Sequence, residues 1–174
     1  NLVLMGGCAL NCKANSMITS NYGFKDIWIM PNPGDAGSCI GVAQKFNRAD
    51  WNLHWKTPYL GYNIEGDYPV EKALKKLLKG EIVGIANGRA EFGPRALGNR
   101  TLTADPRGPL IKDKMNEIKR RQKFRPFAPM ILEEDVHEYF EMPENVNQSP
   151  YMQFVAKCKF PREFPAIIHV DGTC

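Results

Sequence analysis

Long apolar runs are missing from this sequence of 174 residues. No stretch approaches the roughly 18 consecutive apolar residues of a transmembrane helix, so we expect no contact with a membrane. The first residues also lack the basic segment followed by an apolar one that marks a secretory signal peptide. With 43% apolar and 24% charged residues, the composition is that of a globular protein rather than a disordered one.

Paired cysteines and clustered histidines are scarce as well. The five cysteines are an odd number, and no two of them form a CxxC pair. This usage is typical of reduced thiols in a cytoplasmic protein, which is the location we expect. Cys8 and Cys12 are four residues apart, but no Cys/His cluster lies near them, so a zinc site is not predicted.

The excess of basic over acidic residues is small, because the net charge is only +4. It is concentrated in residues 112–125, which contain seven basic and two acidic residues. A compact cationic cluster favours a small polyanion over a nucleic acid, which needs a longer basic track. RNA binding by this cluster, together with the aromatic residues of 48–66, is the weaker alternative.

The apolar pattern predicts an α/β protein. Short apolar runs ended by glycine or proline indicate buried strands, and the segments between and after them are predicted helices. The predicted order is strand, helix, strand, helix, at residues 2–5, 9–20, 26–30 and 36–46. Residues 1–50 thus form half of an α/β layer. Residues 51–66 mix Trp, Tyr, Asn, Pro and Gly without a period and are predicted to be a linker.

A second unit is predicted over residues 67–174. One face of its first helix carries five apolar residues at helical spacing, namely Val70, Ala73, Leu74, Leu77 and Leu78. A helix after Pro109 places Ile111, Met115 and Ile118 on one face. The remaining predictions are a strand at 82–86, an extended segment at 124–132, a short helix at 133–140 and strands at 151–157 and 166–170.

Two arginines in a loop rich in glycine and proline are the first candidates for chemistry. Arg95 and Arg100 lie within residues 91–100, where glycine permits close backbone approach and proline stiffens the turn. A guanidinium offers a planar fork of donors that matches phosphate or carboxylate, so the pair can form an anion clamp. Composition alone leaves two ordinary surface arginines as an equal alternative.

A second cationic segment lies at residues 119–129. Its first basic residues, including Lys119, stand near a predicted helix end and are explained by the helix dipole. Arg125 is not, because it stands between two phenylalanines and before a proline. A charge in an apolar, rigid setting needs a partner, so we predict that Arg125 contacts an anion.

Two turns and one acidic pair complete the candidates. The Gly-Gly pair at residues 6–7 joins a strand to a helix, and backbone N–H groups in such a turn can face phosphate or ribose oxygens. Asp35 suits either a helix N-cap or a ligand of a divalent ion, and the spacing favours the cap. His169 and Asp171 can orient a ligand, and a purely structural role fits them equally well.

Together these segments resemble the carbamoyltransferases that include nodulation protein U and the O-carbamoyltransferases of antibiotic biosynthesis, over nearly the whole chain. The specific parts are GRAEFGPRALGNR (88–100), ADPR (104–107), KFRPFAP (123–129) and HVDGT (169–173). The segments GGCALN (6–11) and GDAG (34–37) resemble the end of that family's first domain. The long GPRALGNR block is far more specific than a lone glycine motif.

The resemblance implies two domains and a two-step reaction. Residues 1–50 would be the end of a sugar-kinase-like or actin-like α/β domain, which passes a carbamoyl group to the hydroxyl of a small-molecule acceptor. Residues 67–174 would be an α/β domain similar to threonylcarbamoyl-AMP synthase, truncated at its C-terminus. This second domain would join carbamoyl phosphate and ATP into carbamoyl adenylate. A divalent metal, often iron, lies near the transfer site in such enzymes.

The same resemblance implies roles for single residues. The anion contacts for carbamoyl phosphate and for the phosphates of ATP would be Arg95, Arg100, Lys119 and Arg125. The contacts for the nucleotide or its surroundings would be Gly6, Gly7, Asn11, Gly34, His169 and Asp171. The carboxylate ligand of the metal would be Asp35.

Two departures from the family pattern qualify these expectations. The family's metal-binding histidines lie upstream of the residues present here. We therefore expect a fragment that lacks the N-terminal part of the same protein, binds no metal tightly and does not complete the transfer alone. The family usually has Arg-Glu where this chain has Arg121-Gln122, which leaves the role of Arg121 open. The alternative function is a nucleotide- or anion-binding module without chemistry.

Overall fold

The first part of the chain alternates strands and helices, as the apolar pattern predicts. A computed structural model describes residues 1–46 and 56–174. Its first elements are β1 (Leu2–Leu4), α1 (Cys12–Asn21), β2 (Ile27–Ile29) and α2 (Ser38–Phe46). Strands β1 and β2 pair in parallel, with Leu2 opposite Ile27 and Leu4 opposite Ile29. Short 3-10 turns, Gly7–Leu10 and Asp35–Gly37, precede the two helices.

The rest of the described chain combines short helices with antiparallel strand pairs. Its helices are α3 (Val70–Leu77), α4 (Ile111–Ile118) and α5 (Val136–Tyr139). Its strands are β3 (Tyr59–Ile64), β4 (Val83–Ala86), β5 (Gly88–Glu91), β6 (Arg100–Thr103), β7 (Phe140–Glu141) and β8 (Lys157–Cys158). The pairs are β3 with β5, β4 with β6, and β7 with β8. This mixture agrees with the α/β class, and the two specific domain folds stay predictions.

The stretch predicted to be a linker contains a strand. Residues 59–64 form β3, which pairs antiparallel with β5 so that Tyr59 lies opposite Glu91 and Ile64 opposite Gly88. The register shifts between Tyr59 and Asn63, which breaks the alternation that marks a strand in sequence. Irregular structure was therefore the wrong prediction for these residues. Residues 51–55 of the predicted linker lie outside the described residues, and the division into domains stays a prediction.

Two other predicted strands are wrong. Within residues 151–157 only the last residue is in a strand, because the hydroxyl of Ser149 accepts from the backbone N–H groups of Gln153 and Phe154 and turns the chain back. Within residues 166–170 the chain begins as a 3-10 turn, Pro165–Ile167, since proline at its start fixes a helical φ.

One further detail of the second unit differs from the pattern. Residues 124–132, predicted to be extended, lie outside the helices and strands, and Leu132 has an extended backbone with φ −66° and ψ 144°. In α4, Ile111 and Met115 are buried as predicted, but Ile118 is 56% exposed. The apolar face of this helix therefore ends one turn earlier than its spacing indicates.

The apolar core of the C-terminal part lies around β7 and β8. Phe140, Cys158 and Ile167 are buried together in it. Tyr139 packs edge-on against Phe160 and Phe164, with ring centroids 5.8 and 6.0 Å away. Edge-to-face contacts of this kind add to the stability that burial provides.

Buried amides join the C-terminal part to the first strands and helix. The side-chain amide of Gln153, 6% exposed, donates to the carbonyls of Ile29 and Met30, each at 2.7 Å. The amide of Asn15, in α1, donates to the carbonyls of Ala9 and Gln153. These bonds hold the end of β2, and the turn that follows it, against the rest of the protein.

Replacing Gln153 with leucine is expected to destabilise the protein. The substitution keeps a similar volume but leaves the buried carbonyls of Ile29 and Met30 without a donor, at about 1–3 kcal/mol each. Urea unfolding of Gln153→Leu beside Gln148→Leu measures the effect, because Gln148 is exposed and serves as the control. Equal midpoints for the two variants would contradict the role of this amide.

Among residues 1–46 and 56–174, every helix is too short or too polar to traverse a lipid bilayer.

Candidate functional site

Three turns singled out in the sequence meet at one place, which we name the three-turn junction: residues 6–11, 31–37 and 92–98. The N–H of Gly6 donates to the carbonyl of Pro33 at 2.6 Å. Gly93 has φ 140° and lies so close to the second turn that an added Cβ would come within 2.6 Å of the Pro31 carbonyl oxygen. Only glycine fits both the backbone angle and this approach. The third contact comes from Arg95, which reaches the carbonyl of Leu10.

The first turn leaves one side of its backbone open. A Cβ added at Gly6 or Gly7 would meet no atom within 4 Å, so a ligand can approach the main chain there. Asn11 follows and caps helix α1, since its side-chain oxygen accepts from the N–H of Ala14 at 3.1 Å. The side-chain oxygen of Asn11 therefore serves to hold the first turn of the helix.

The second turn is tightly closed. Asn32 and Gly37 are buried in it, and the N–H of Gly37 donates to the carbonyl of Gly34 at 2.9 Å. Gly34 occupies the N-cap position of the short 3-10 turn, and Asp35 is its first residue. The predicted N-cap role of Asp35 is therefore wrong, because the chain enters the 3-10 turn one residue earlier. The Asp35 side chain lies exposed at the surface.

Few side chains that could bind a metal ion lie near the three-turn junction. Within the described ranges, no group of three or more His, Cys, Asp or Glu side chains is placed to hold a metal ion. Asp35 offers one exposed carboxylate, and a tight site for a divalent ion needs several ligands. The described residues do not by themselves fit a metal, and no step is derived through one.

The third turn is built on a carboxylate that the sequence analysis missed. One oxygen of Glu91 accepts from the backbone N–H groups of Leu97, Asn99 and Arg100, at 2.8, 2.8 and 3.1 Å. Burial by itself raises the pKa of Glu91, but the backbone donors outweigh it and hold the pKa below its ordinary value of 4.5. The hydroxyl of Tyr59 donates to the carbonyl of Leu97 at 2.9 Å. Both contacts fix the loop that carries Arg95.

The stabilisation from Glu91 is expected to depend on pH. Because its folded pKa is depressed, this contribution is present above the ordinary value of 4.5 and is lost as the pH falls through the folded pKa. We expect Glu91→Gln to cost about 1–3 kcal/mol at pH 7, because a neutral amide is a weaker acceptor for three N–H groups. Thermal unfolding of both proteins from pH 3 to pH 8 measures it. The stability difference between the two proteins should shrink as the pH falls. A difference that grows on acidification would contradict the depressed pKa of Glu91.

Arg95 is a partly buried polar side chain of the junction. Its terminal Nη2 is 3.4 Å from the carbonyl of Leu10, a long contact. Its Nε is buried and has no hydrogen-bond partner within the described residues. A buried donor without a partner costs about 1–3 kcal/mol, so such groups are rare in folded proteins and call for an explanation. A small anion bound in the junction would supply the missing acceptor.

Arg100 lies in the same motif but is engaged in the scaffold. Its Nη1 donates to the carbonyls of Asn87 and Asn99, both at 2.8 Å, and its Nη2 to those of Tyr62 and Gly88, at 2.9 and 3.1 Å. These four bonds use the terminal nitrogens and tie β3, β5 and β6 together. Arg100 can therefore interact with an anion only through its Nε–H donor and through its positive charge.

The second cationic segment presents exposed charges beside a structured turn. Lys119 and Arg125 are both exposed, and no hydrogen bond or ion pair of the described residues joins either side chain to the three-turn junction. Burial and then the nearby charge of Arg125 lower the pKa of Arg121 from its ordinary value. Two like charges therefore share one region, which favours an anion beside them. A single pocket formed by Arg95 and Arg125 stays a prediction.

The HVDGT segment forms a turn next to helix α1. Asp171 pairs with Lys13, the second residue of that helix, and accepts from the backbone and hydroxyl of Thr173. The hydrogen bond from Lys13, followed by those from Thr173, lowers the pKa of Asp171 well below its ordinary value of 3.8. His169 Nδ1 is 3.4 Å from the same carboxylate. Asp171 therefore orders its own turn, and His169 stands beside it.

Comparison with known proteins accounts for these segments. The family profile described as "Carbamoyltransferase C-terminus" matches residues 74–174, and the profile described as "Carbamoyltransferase N-terminus" matches residues 1–44. The chain belongs to the carbamoyltransferase family. The three-turn junction thus lies where the two matched regions of a carbamoyltransferase touch, since its first two turns fall in one region and its third in the other.

Curated relatives align with this carbamoyltransferase chain along nearly all of its length. Nodulation protein NolNO of Sinorhizobium fredii is 35% identical over 99% of the chain and 29% of its own length. Nodulation protein NolO of Bradyrhizobium diazoefficiens is 35% identical, with 99% and 36% covered. Nodulation protein U of Azorhizobium caulinodans is 38% identical, with 99% and 33% covered. The chain therefore spans about a third of the length of these relatives.

Within the carbamoyltransferase motif, the sequence analysis overlooked the residues that build the loop. Glu91 is the one acid of the segment GRAEFGPRALGNR, and Tyr59 lies outside every motif. A single acid among two loop arginines is a signal that its carboxylate serves the loop. No comparable signal marks Tyr59, because its partner Leu97 is 38 residues away in the chain.

Proposed function

We propose that this chain forms the part of a carbamoyltransferase that activates carbamoyl phosphate with ATP. The carbamoyl adenylate so formed then gives its carbamoyl group to the hydroxyl of a small-molecule acceptor. The observation that carries the proposal is the buried Nε of Arg95, which lacks an acceptor within the described residues at the point where three turns meet. Membership of the carbamoyltransferase family supports the reaction class.

The proposed reaction requires side chains that bind anions, and it does not require a nucleophile from the protein. Carbamoyl phosphate, ATP and water give carbamoyl adenylate, pyrophosphate and inorganic phosphate, so a carbamate oxygen forms the bond to the α-phosphorus while pyrophosphate leaves. Negative charge shifts among phosphate oxygens at each stage. Preorganised donors stabilise such charge without a covalent step. Guanidinium groups are suited to this role because their donors match two phosphate oxygens at once.

Each predicted residue has a place in this proposal. Arg95 binds the anion in the junction, Arg125 and Lys119 bind from the second cationic segment, and Arg100 mainly holds the scaffold. The open backbone of the first turn, at Gly6 and Gly7, faces the nucleotide. The remaining candidates around it are Asn11, Gly34, His169 and Asp171.

We also propose the two-domain architecture implied by the family resemblance, with an actin-like part at residues 1–50 and a threonylcarbamoyl-AMP-synthase-like part at residues 67–174. In the full-length protein, Asp35 would add one carboxylate to a divalent metal site, iron being the metal proposed. Further ligands for that metal would have to come from outside the described residues.

Exchange of pyrophosphate into ATP tests the proposed function. In the full-length protein that contains this chain, we expect exchange of labelled pyrophosphate to require carbamoyl phosphate, because the adenylate must form and revert. Calorimetry with ATP, in the presence and absence of carbamoyl phosphate, tests the alternative. Binding of ATP with no exchange and no dependence on carbamoyl phosphate would replace the enzyme with a nucleotide-binding module.

A further inference from the structure

A fully buried amide lies beneath the second cationic segment. Asn116, near the end of α4, is 0% exposed. Its side-chain nitrogen donates to the carbonyls of Lys123 and Arg125, both at 3.0 Å. Its side-chain oxygen accepts from Nε of Arg121. Both N–H groups of one buried side chain are therefore used to hold the backbone of the segment that carries Arg125.

Arg121 completes this support from the other side. Its Nη2 donates to the carbonyl of Pro126 at 3.2 Å, and its guanidinium carbon lies 4.4 Å from the ring centroid of Phe127. Stacking on an aromatic ring together with two hydrogen bonds fixes the guanidinium in one orientation. The reversal of the chain begins just before it, at Arg120, whose φ is 49°.

The side chain of Arg125 contrasts with the backbone that carries it. It is exposed and makes no hydrogen bond or ion pair within the described residues, while its carbonyl is held by Asn116. A rigid backbone below a free guanidinium is the arrangement expected where a charge must be presented to a ligand. Displacement of such a group by about 1 Å can cost about a hundredfold in rate.

We propose that Asn116 is a positioning residue, which sets the point from which Arg125 reaches an anion, and that Arg121 belongs to this support rather than to the anion contacts. The inference rests on the proposed function, since it takes Arg125 to bind carbamoyl phosphate or ATP. It also answers the question left by Gln122, where the family usually has glutamate. Arg121 is held by Asn116, Pro126 and Phe127, so it does not depend on a negative charge at position 122.

Asn116→Asp tests the inference in the full-length protein. The carboxylate keeps the shape and the acceptor for Arg121 but removes both N–H donors to the turn. We expect carbamoyl-phosphate-dependent pyrophosphate exchange to fall by about 10- to 100-fold in kcat/KM. Asn147→Asp is the matched control, because Asn147 is exposed. We expect that variant to keep the wild-type rate.

A double variant separates positioning from general damage. If Asn116 acts through Arg125, then Asn116→Asp adds little to the loss already caused by Arg125→Ala, and the two effects do not multiply. If the loss in the double variant equals the product of the two single losses, the inference is overturned. Arg121→Lys serves where Asn116→Asp fails to fold, because it keeps the charge and loses the fork that reaches Asn116 and Pro126. We expect that Arg121→Lys, like Asn116→Asp, adds little to the rate loss already caused by Arg125→Ala.

The outcomes also separate this inference from the proposed function. Unchanged exchange in Arg125→Ala would remove Arg125 from the anion site and overturn this inference, while the proposed function would stand, because the carbamoyl-phosphate-dependent reaction would still occur. A loss in Arg125→Ala together with wild-type exchange in folded Asn116→Asp and Arg121→Lys would overturn only the positioning role. Thermal unfolding of each variant records whether it is folded.

Discussion

Gly37→Ala is expected to unfold the second turn of the three-turn junction and to lower the free energy of unfolding by about 3–5 kcal/mol. A Cβ at position 37 would overlap the carbonyl oxygen of Asn32 and lie 2.9 Å from its carbonyl carbon. Both atoms belong to the backbone, so no side-chain rotation relieves the contact. The turn must open, and its contact with Gly6, through the carbonyl of Pro33, would be disturbed with it.

A neighbouring glycine gives the matched control for this experiment. Gly41 lies inside helix α2, and a Cβ there would meet no atom within 4 Å. Alanine in a helix is favoured over glycine by about 1 kcal/mol, so Gly41→Ala is expected to stabilise. Thermal and urea unfolding of the two variants therefore shift in opposite directions. Equal stability of Gly37→Ala and the unsubstituted protein would contradict the closed geometry of this turn.

Arg95→Ala is expected to lower kcat/KM for carbamoyl-phosphate-dependent pyrophosphate exchange by about 10²- to 10³-fold, the loss typical of removing one preorganised donor. The free energy of unfolding is expected to stay the same or rise. The substitution removes a buried Nε that has no partner within the described residues, and such a group destabilises the folded protein. Activity and stability would thus change in opposite directions, as expected for a residue kept for function.

Two further variants sharpen the Arg95 experiment. Arg95→Lys keeps the charge but loses the planar fork, so an intermediate loss of exchange is expected. Arg162→Ala is the control for loss of one positive charge, because Arg162 is exposed. A large loss of stability in Arg95→Ala, with exchange reduced only in proportion to unfolded protein, would make Arg95 a structural residue instead.

Local patterns predicted those elements whose signal lies within a few residues. The run before Gly6 and Gly7 gave β1, and helical spacing from Val70 gave α3. Strand β3 was missed because it is defined by its pairing with β5, whose residues are far away in the chain. Its register also shifts, and pairing of this kind depends on context more than on propensity. The strand predicted at 166–170 failed for a local reason, since Pro165 begins a 3-10 turn.

The candidate site was predictable in part for the same reason. Three motifs with glycine turns were identified in sequence, and the structure brings all three together at the junction. The different structural roles of Arg95 and Arg100 could not be predicted from the sequence. Both residues look alike in sequence, and only the tertiary structure reveals that Arg100 donates to four carbonyls while Arg95 keeps a buried donor free.

Binding of carbamoyl phosphate to the full-length protein and to its Arg95→Ala variant, measured by calorimetry at constant ionic strength, tests the central claim most directly. The claim is that Arg95 holds an anion where the three turns meet. We expect saturable binding to the unsubstituted protein and at least about tenfold weaker binding to the variant, a difference of about 1.4 kcal/mol. Equal dissociation constants for the two proteins would contradict it.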